Sequence, residues 1–107
     1  MTEYFAIRPD GEYSQFVDST PLADFLNAMP ELRSASGAQW DSASDHWFTL
    51  SLVVSDSYGN FASHGPLPPR INCVSIASSE LHHDKILPIL KRIAVHIGWE
   101  LIDDGPS

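Results

Sequence analysis

Residues Trp47–Val54 alternate in character. Phe48, Leu50, Leu52 and Val54 fall on one side of an extended chain, and Trp47, Thr49, Ser51 and Val53 on the other. Side chains of a strand point alternately to opposite faces, so this pattern predicts a strand with its first set turned to a core. An apolar strand face needs a second layer to cover it. The chain offers two amphipathic helices for that purpose. Leu22, Phe25, Leu26 and Met29 recur at helical spacing behind Ser19-Thr20-Pro21, where a hydroxyl suits the cap and proline the first turn. Pro30 ends that pattern. Ile86, Ile89, Leu90, Ile93, Ala94 and Ile97 form a longer apolar stripe, and Gly98 stands where a left-handed C-terminal cap is expected. An interior Pro88 costs about 3 kcal/mol in a helix. Two helix starts accommodate it: a cap at Asp84, with Pro88 near the end of the first turn, or a start at Ser78 or Ser79 with a kink at Pro88.

The remaining elements read from turn chemistry. Glu3–Arg8 and Tyr13–Val17 read as short strands joined by Pro9-Asp10-Gly11, which suggests a hairpin. Residues 31–45 are small and polar and read as a long surface loop. Asp56-Ser57-Tyr58-Gly59-Asn60 reads as a turn, and the prolines of His64–Pro69 cannot continue a ladder. Ile71–Ala77 and Trp99–Ile102 read as strands around the second helix, paired in parallel through a right-handed crossover. The expected architecture is an α+β two-layer sandwich of order β-β-α-β-β-α-β. It has a five-stranded mixed, mostly antiparallel sheet with two helices on one face. With 107 residues, and a typical domain of roughly 100–200, residues 1–107 read as a single domain.

Charge narrows the class of partner. The 14 acidic residues outnumber the 6 basic ones, giving −8 with histidine neutral. That balance argues against a phosphate-reading nucleic-acid binder and against a polybasic membrane module. Nothing approaches the roughly 20 apolar residues of a membrane span. Residues 1–60 hold nine acids against Arg8 and Arg33; residues 61–107 hold five against Arg70, Lys85, Lys91 and Arg92. The lone Cys73 excludes an internal disulfide and fits a reducing compartment. Met1-Thr2-Glu3-Tyr4 lacks the basic start of a secretory leader, so the expected location is the cytoplasm.

No established catalytic motif is present: there is no G-x-S-x-G elbow, P-loop, G-x-G-x-x-G or H-E-x-x-H. His82-His83-Asp84 with His96 is a metal candidate of poor spacing. Adjacent histidines diverge on a helix, and His83 and His96 are 13 residues apart, about 20 Å along a continuous helix. A solvated helix start explains the triplet better. Asp41 and Asp45 lack the glycine and later glutamate of a calcium loop. Cys73 with His46 or His64 as base is outweighed by the reading of Cys73 as a core residue. The expectation is therefore no enzyme, no cofactor and no metal. Trp40-Asp41-Ser42-Ala43-Ser44-Asp45-His46-Trp47 mixes aromatics with carboxylates, as interface hot spots do. Trp40 is evenly balanced there between interface contact and a lid on the core.

The run Ile71-Asn72-Cys73-Val74-Ser75-Ile76, the helix ending Ile93-Ala94 to Gly98-Trp99, and Glu100-Leu101-Ile102-Asp103 resemble the C-terminal part of small uncharacterised bacterial proteins. Some proteins of this kind are thought to be immunity proteins paired with secreted toxins. The resemblance covers the last third of the chain and transfers no functional residues. The −8 charge, concentrated in residues 1–60, the small single domain and the lack of a catalytic motif point to a protein-binding role. The expected function is a small acidic protein-binding module, an immunity-type inhibitor of a basic toxin, with Trp40, Asp41, Asp45, Asp56 and Tyr58 as contacts. The alternative is a small-molecule binder or enzyme with its site between loops 31–46 and 64–70. Monomer and homodimer both stay open.

Overall fold

The computed structural model describes residues 2–43, 46–58, 61, 65–79 and 83–106. In chain order its elements are β1 (Thr2–Arg8), β2 (Val17–Asp18), α1 (Ser19–Asn27), β3 (Leu32–Ser34), β4 (Gln39–Ser42), β5 (Phe48–Val53), β6 (Arg70–Ile71), β7 (Cys73–Ser79), α2 (His83–Ile97) and β8 (Glu100–Pro106). Six strands form one sheet in the order β3-β4-β5-β7-β1-β8. Every neighbouring pair in it is antiparallel. β2 and β6 pair separately as a short ribbon.

The class is α+β, as the sequence implies, but the sheet is six-stranded and antiparallel throughout rather than five-stranded and mixed. The C-terminal unit shows why. β7 and β8 run in the same direction on either side of α2, yet they are not neighbours. β1 lies between them, with Phe5 opposite Ile76 on one side and Ile7 opposite Leu101 on the other. Its Phe5 and Ile7 are buried against the helices, and Ala6, on the opposite face, is buried beneath Tyr13. With both edges of β1 taken, the expected hairpin from Glu3–Arg8 to Tyr13–Val17 does not form. Asp10 Oδ1 accepts the amides of Glu12 at 2.8 Å and Ser14 at 3.2 Å, and Tyr13 adopts a positive φ of 57°. This turn leads the chain away, and Val17–Asp18 pairs with Arg70–Ile71 instead.

Residues 31–45, read from sequence as a loop, contain the hairpin β3–β4. Its turn closes through the amide of Gln39 on the Ser36 carbonyl at 3.2 Å. Gly37 sits there at φ 60°, and a Cβ on it would lie 2.1 Å from the carbonyl oxygen of Gly65. Glycine is required both by the backbone conformation and by this close approach.

One face of the sheet presents Phe5, Ile7, Phe48, Leu50, Leu52, Val74 and Ile76 to Leu22 and Leu26 of α1 and to Ile86, Leu90 and Ile93 of α2, forming the core. α1 is anchored through its first residue. Ser19 donates its amide to the Pro69 carbonyl at 3.0 Å and its hydroxyl to the Pro68 carbonyl, so that hydroxyl docks the proline segment rather than capping the helix. Ser78 and Ser79 belong to β7, which removes the earlier of the two starts considered for α2. Pro88 faces solvent inside α2. Gly98 takes φ 83° and donates to the Ala94 carbonyl at 2.8 Å, closing the helix as expected.

Candidate functional site

Both helices cover the same sheet face, so among the described residues the other face has no helical layer. Its residues follow from the register. Gln39, Ser51, Ser75 and Ala6 lie across from one another on β4, β5, β7 and β1; Asp41, Thr49, Ala77 and Tyr4 form the next row. Most of these side chains are small, and the surface dips above them. The dip is a recess of about 280 Å³ lined by Tyr4, Gln39, Thr49, Ser51, Phe61, Ser75 and Ala77. A neighbouring recess of about 260 Å³ shares Tyr4, Phe61 and Ser75 and continues over Ala6, Tyr13, Cys73 and Asp104. The two form one trough.

The trough is walled at one end by the turn after β1. Tyr13 packs over Ala6, Val53 and Cys73. Asn72, buried between β6 and β7, fixes that turn. Its Nδ2 donates to the carbonyls of Ser55 at 2.8 Å and Tyr13 at 3.1 Å, and its Oδ1 accepts the Ser55 amide at 2.7 Å. The chain leaving β1 and the chain leaving β5 are thus tied to one side chain, and the latter brings Phe61 over the trough.

The polar groups divide into engaged and open ones. Asp41 Oδ1 accepts from Thr49 Oγ1 at 2.9 Å and Gln39 Nε2 at 3.2 Å. Arg8 pairs with Glu100 at 3.5 Å and lies 5.6 Å from the centre of the Tyr13 ring. Among the described residues, none bonds to the hydroxyls of Tyr4, Ser51 or Ser75, or to the amide oxygen of Gln39. Burial pushes the Cys73 thiol up to about 12, with Asp104 adding to the rise and Arg8 opposing it. A thiol so far above neutrality stays protonated and is a poor nucleophile.

The sequence-derived contacts do not converge. Trp40 is 3% exposed on the core side, and its Nε1 donates to Asn27 Oδ1 at 2.8 Å, so it is a lid on the core rather than a surface contact. Asp41 lies on the uncovered face beside the trough. Asp56 and Tyr58 follow the opposite end of β5; Asp56 Oδ1 accepts the Tyr58 amide at 2.9 Å, and Tyr58 is 88% exposed. Asp45 lies outside the described residues, as do His64 and His82. The alternative site between the 31–46 and 64–70 segments is not assembled as a Cys–His pair with His46. Cys73 faces Val53 at one end of β5, whereas His46 precedes the other end. Those segments meet backbone to backbone at Gly37 and Gly65. His83 lies 3.1 Å from Glu3 and edge-on to Phe5, while His96 stacks on Phe25 at 3.7 Å. Among the described residues, no group of three or more His, Cys, Asp or Glu is clustered to hold a metal ion. Nor is any helix long and apolar enough to cross a membrane.

Sequence reasoning missed the trough. Its signal was the alternation of small outward residues, Thr49 and Ser51 on one strand and Ser75 and Ala77 on the next. Small neighbours leave a dip only when their strands pair in register, and that pairing is a long-range fact. Comparison with protein-family models, curated proteins and solved structures finds no match for the chain.

Proposed function

We propose that the protein is a non-enzymatic binding module that docks a basic protein on its uncovered sheet face. The observation that carries this reading is the trough itself: a face without a helical layer among the described residues, lined by the exposed aromatics Tyr4 and Phe61 and by the Asp104 carboxylate, with Asp41 on the same face beside it. Aromatic groups at a recess supply binding energy, and carboxylates around it supply steering and selection. Charge is distributed to match. α2, behind the core, carries one acid against three bases, so the rest of the chain holds thirteen acids against three. A basic partner is drawn to the acidic remainder rather than to α2. Neutralisation of a basic toxin in the manner of an immunity protein is the role this module fits. The C-terminal resemblance supports the same role, and the cytoplasm, where a lone thiol stays reduced, is the proposed compartment.

The test is affinity capture on the immobilised protein at low salt, with elution by a salt gradient. A single basic protein retained in stoichiometric amount by the wild type is expected. It should be lost from the Tyr4→Ser and Asp104→Lys variants. Retention indifferent to salt and to both substitutions would sink the proposal. A recess of about 280 Å³ lies just below the usual range for small-molecule pockets, roughly 300–1,000 Å³, so a small ligand is the second reading.

A further inference from the structure

We infer that the trough is a socket for an arginine side chain of the basic partner, an inference that rests on the protein-binding reading above. Ser51 is 8% exposed, lines the recess, and has no hydrogen-bond partner for its hydroxyl among the described residues. Its side chain is largely buried while its hydroxyl opens into the recess, where an incoming polar group can reach it. Ser75 beside it and Tyr4 on the wall have open hydroxyls too. Gln39 spends its Nε2 on Asp41 and Thr49, which leaves its carbonyl oxygen as an acceptor. The recess thus gathers three hydroxyls, each able to accept or donate, and one amide oxygen that only accepts, a set that can take a group with several donors.

Charge selects the sign of that group. No lysine or arginine lines either part of the trough. Asp104 lines its continuation, and Arg8, within reach of its charge, is ion-paired with Glu100 at 3.5 Å, which leaves one cation against two carboxylates there. An anionic occupant meets repulsion, and a neutral one leaves the excess carboxylate unused. Between the two cationic side chains, the geometry favours arginine. Its planar guanidinium carries five donors and is attracted to aromatic faces such as those of Tyr4 and Phe61. Its aliphatic stem suits the apolar stretch over Ala77 and Phe61. A peptide-borne arginine is the committed source, because the recess opens onto a face broad enough to seat a chain on either side of it.

The experiment is an amide-detected NMR titration of the whole protein with N-acetyl-arginine methylamide, its lysine counterpart and its uncharged citrulline counterpart. Saturable shifts centred on Tyr4, Ser51, Ser75 and Ala77 are expected for arginine, several-fold weaker binding for lysine, and none for citrulline. Asp104→Asn and Ser75→Val, each checked for an intact spectrum, should each weaken the arginine probe by about tenfold, the scale of one charge-assisted hydrogen bond. Absent shifts, equal binding of citrulline, or shifts confined to another surface overturn the socket. The failure of the socket is separable from that of the binding reading. Capture of a basic protein that survives both substitutions overturns the socket and leaves the module standing. Shifts as strong for free arginine as for a longer arginine-bearing peptide overturn the peptide source.

Discussion

Asn72 satisfies three backbone groups that no strand neighbour reaches: the amide and carbonyl of Ser55 and the carbonyl of Tyr13. Buried groups left without partners cost roughly 1–3 kcal/mol each. Asn72→Ala is therefore expected to lower stability by about 3 kcal/mol in urea denaturation. It should also loosen the wall of the trough, seen as faster amide exchange at residues 11–14. Nothing adjacent in sequence marks this asparagine, because its partners lie 17 and 59 positions away. Cys73 was readable from sequence, since its strand neighbours imply burial. Its titration gives a second prediction. The folded thiol is pushed up to about 12, above its unfolded value of about 8.5. A group raised in this way contributes fully below its unfolded pKa and loses that contribution as pH rises. Wild type should lose stability relative to Cys73→Ala from about pH 8.5 towards 12, with a limiting slope of about 1.4 kcal/mol per unit. Paired urea titrations across that range read it directly, and parallel curves would contradict it.

At the scale of elements, legibility followed the length of the pattern. α1, α2 and β5 were found because their apolar positions repeat often enough to outweigh chance. β3 and β4 were not, because Leu32–Ser34 has one inward apolar residue and Gln39–Ser42 has only Trp40. Such short strands are held by their neighbours and by the Gly37 turn rather than by local preference. Gly37→Ala tests this. The substitution forces a left-handed non-glycine residue, costing roughly 1–2 kcal/mol, and adds a clash with the Gly65 carbonyl. A loss above about 2 kcal/mol is expected, with amide protection in β3 and β4 falling more than in β7. The same hairpin is tied to α2 through Glu31 and Arg92. Burial is the largest single influence and works to raise the Glu31 carboxyl, but the hydrogen bond and charge of Arg92, together with a backbone hydrogen bond from its own amide, outweigh it and hold the group below its ordinary range. A depressed carboxylate contributes stability above its unfolded pKa and loses it as pH falls through the folded value. Glu31→Gln should cost about 0.5 kcal/mol at neutral pH, as befits a partly exposed pair, and nothing in strong acid. A difference that persists at low pH would assign the effect to packing.

The whole molecule must keep two sheet edges from joining other sheets. β3 is a short edge of three residues, but β8 is a long one of seven, with its outer backbone groups free to pair. The chain protects β8 with charge and irregularity. Glu100, Asp103 and Asp104 lie along it, its register shifts opposite Tyr4 and Phe5, and Asp103 Oδ1 takes the Gly105 amide at 2.8 Å. Two copies meeting edge to edge would bring these carboxylates together and repel. The acidic balance thus has a structural use beside the proposed steering of a partner, and the two uses are separable. Replacing Asp103 and Asp104 with threonine keeps good strand residues and removes two charges from the edge. Wild type is expected to sediment as a monomer at neutral pH, and the double variant to shift towards dimer with rising concentration. Acidifying the wild type should act in the same direction, since protonation removes the same charges. A wild type already dimeric at low concentration would mean that the acids do not guard the edge. In that case the net charge would be left to partner binding and solubility alone.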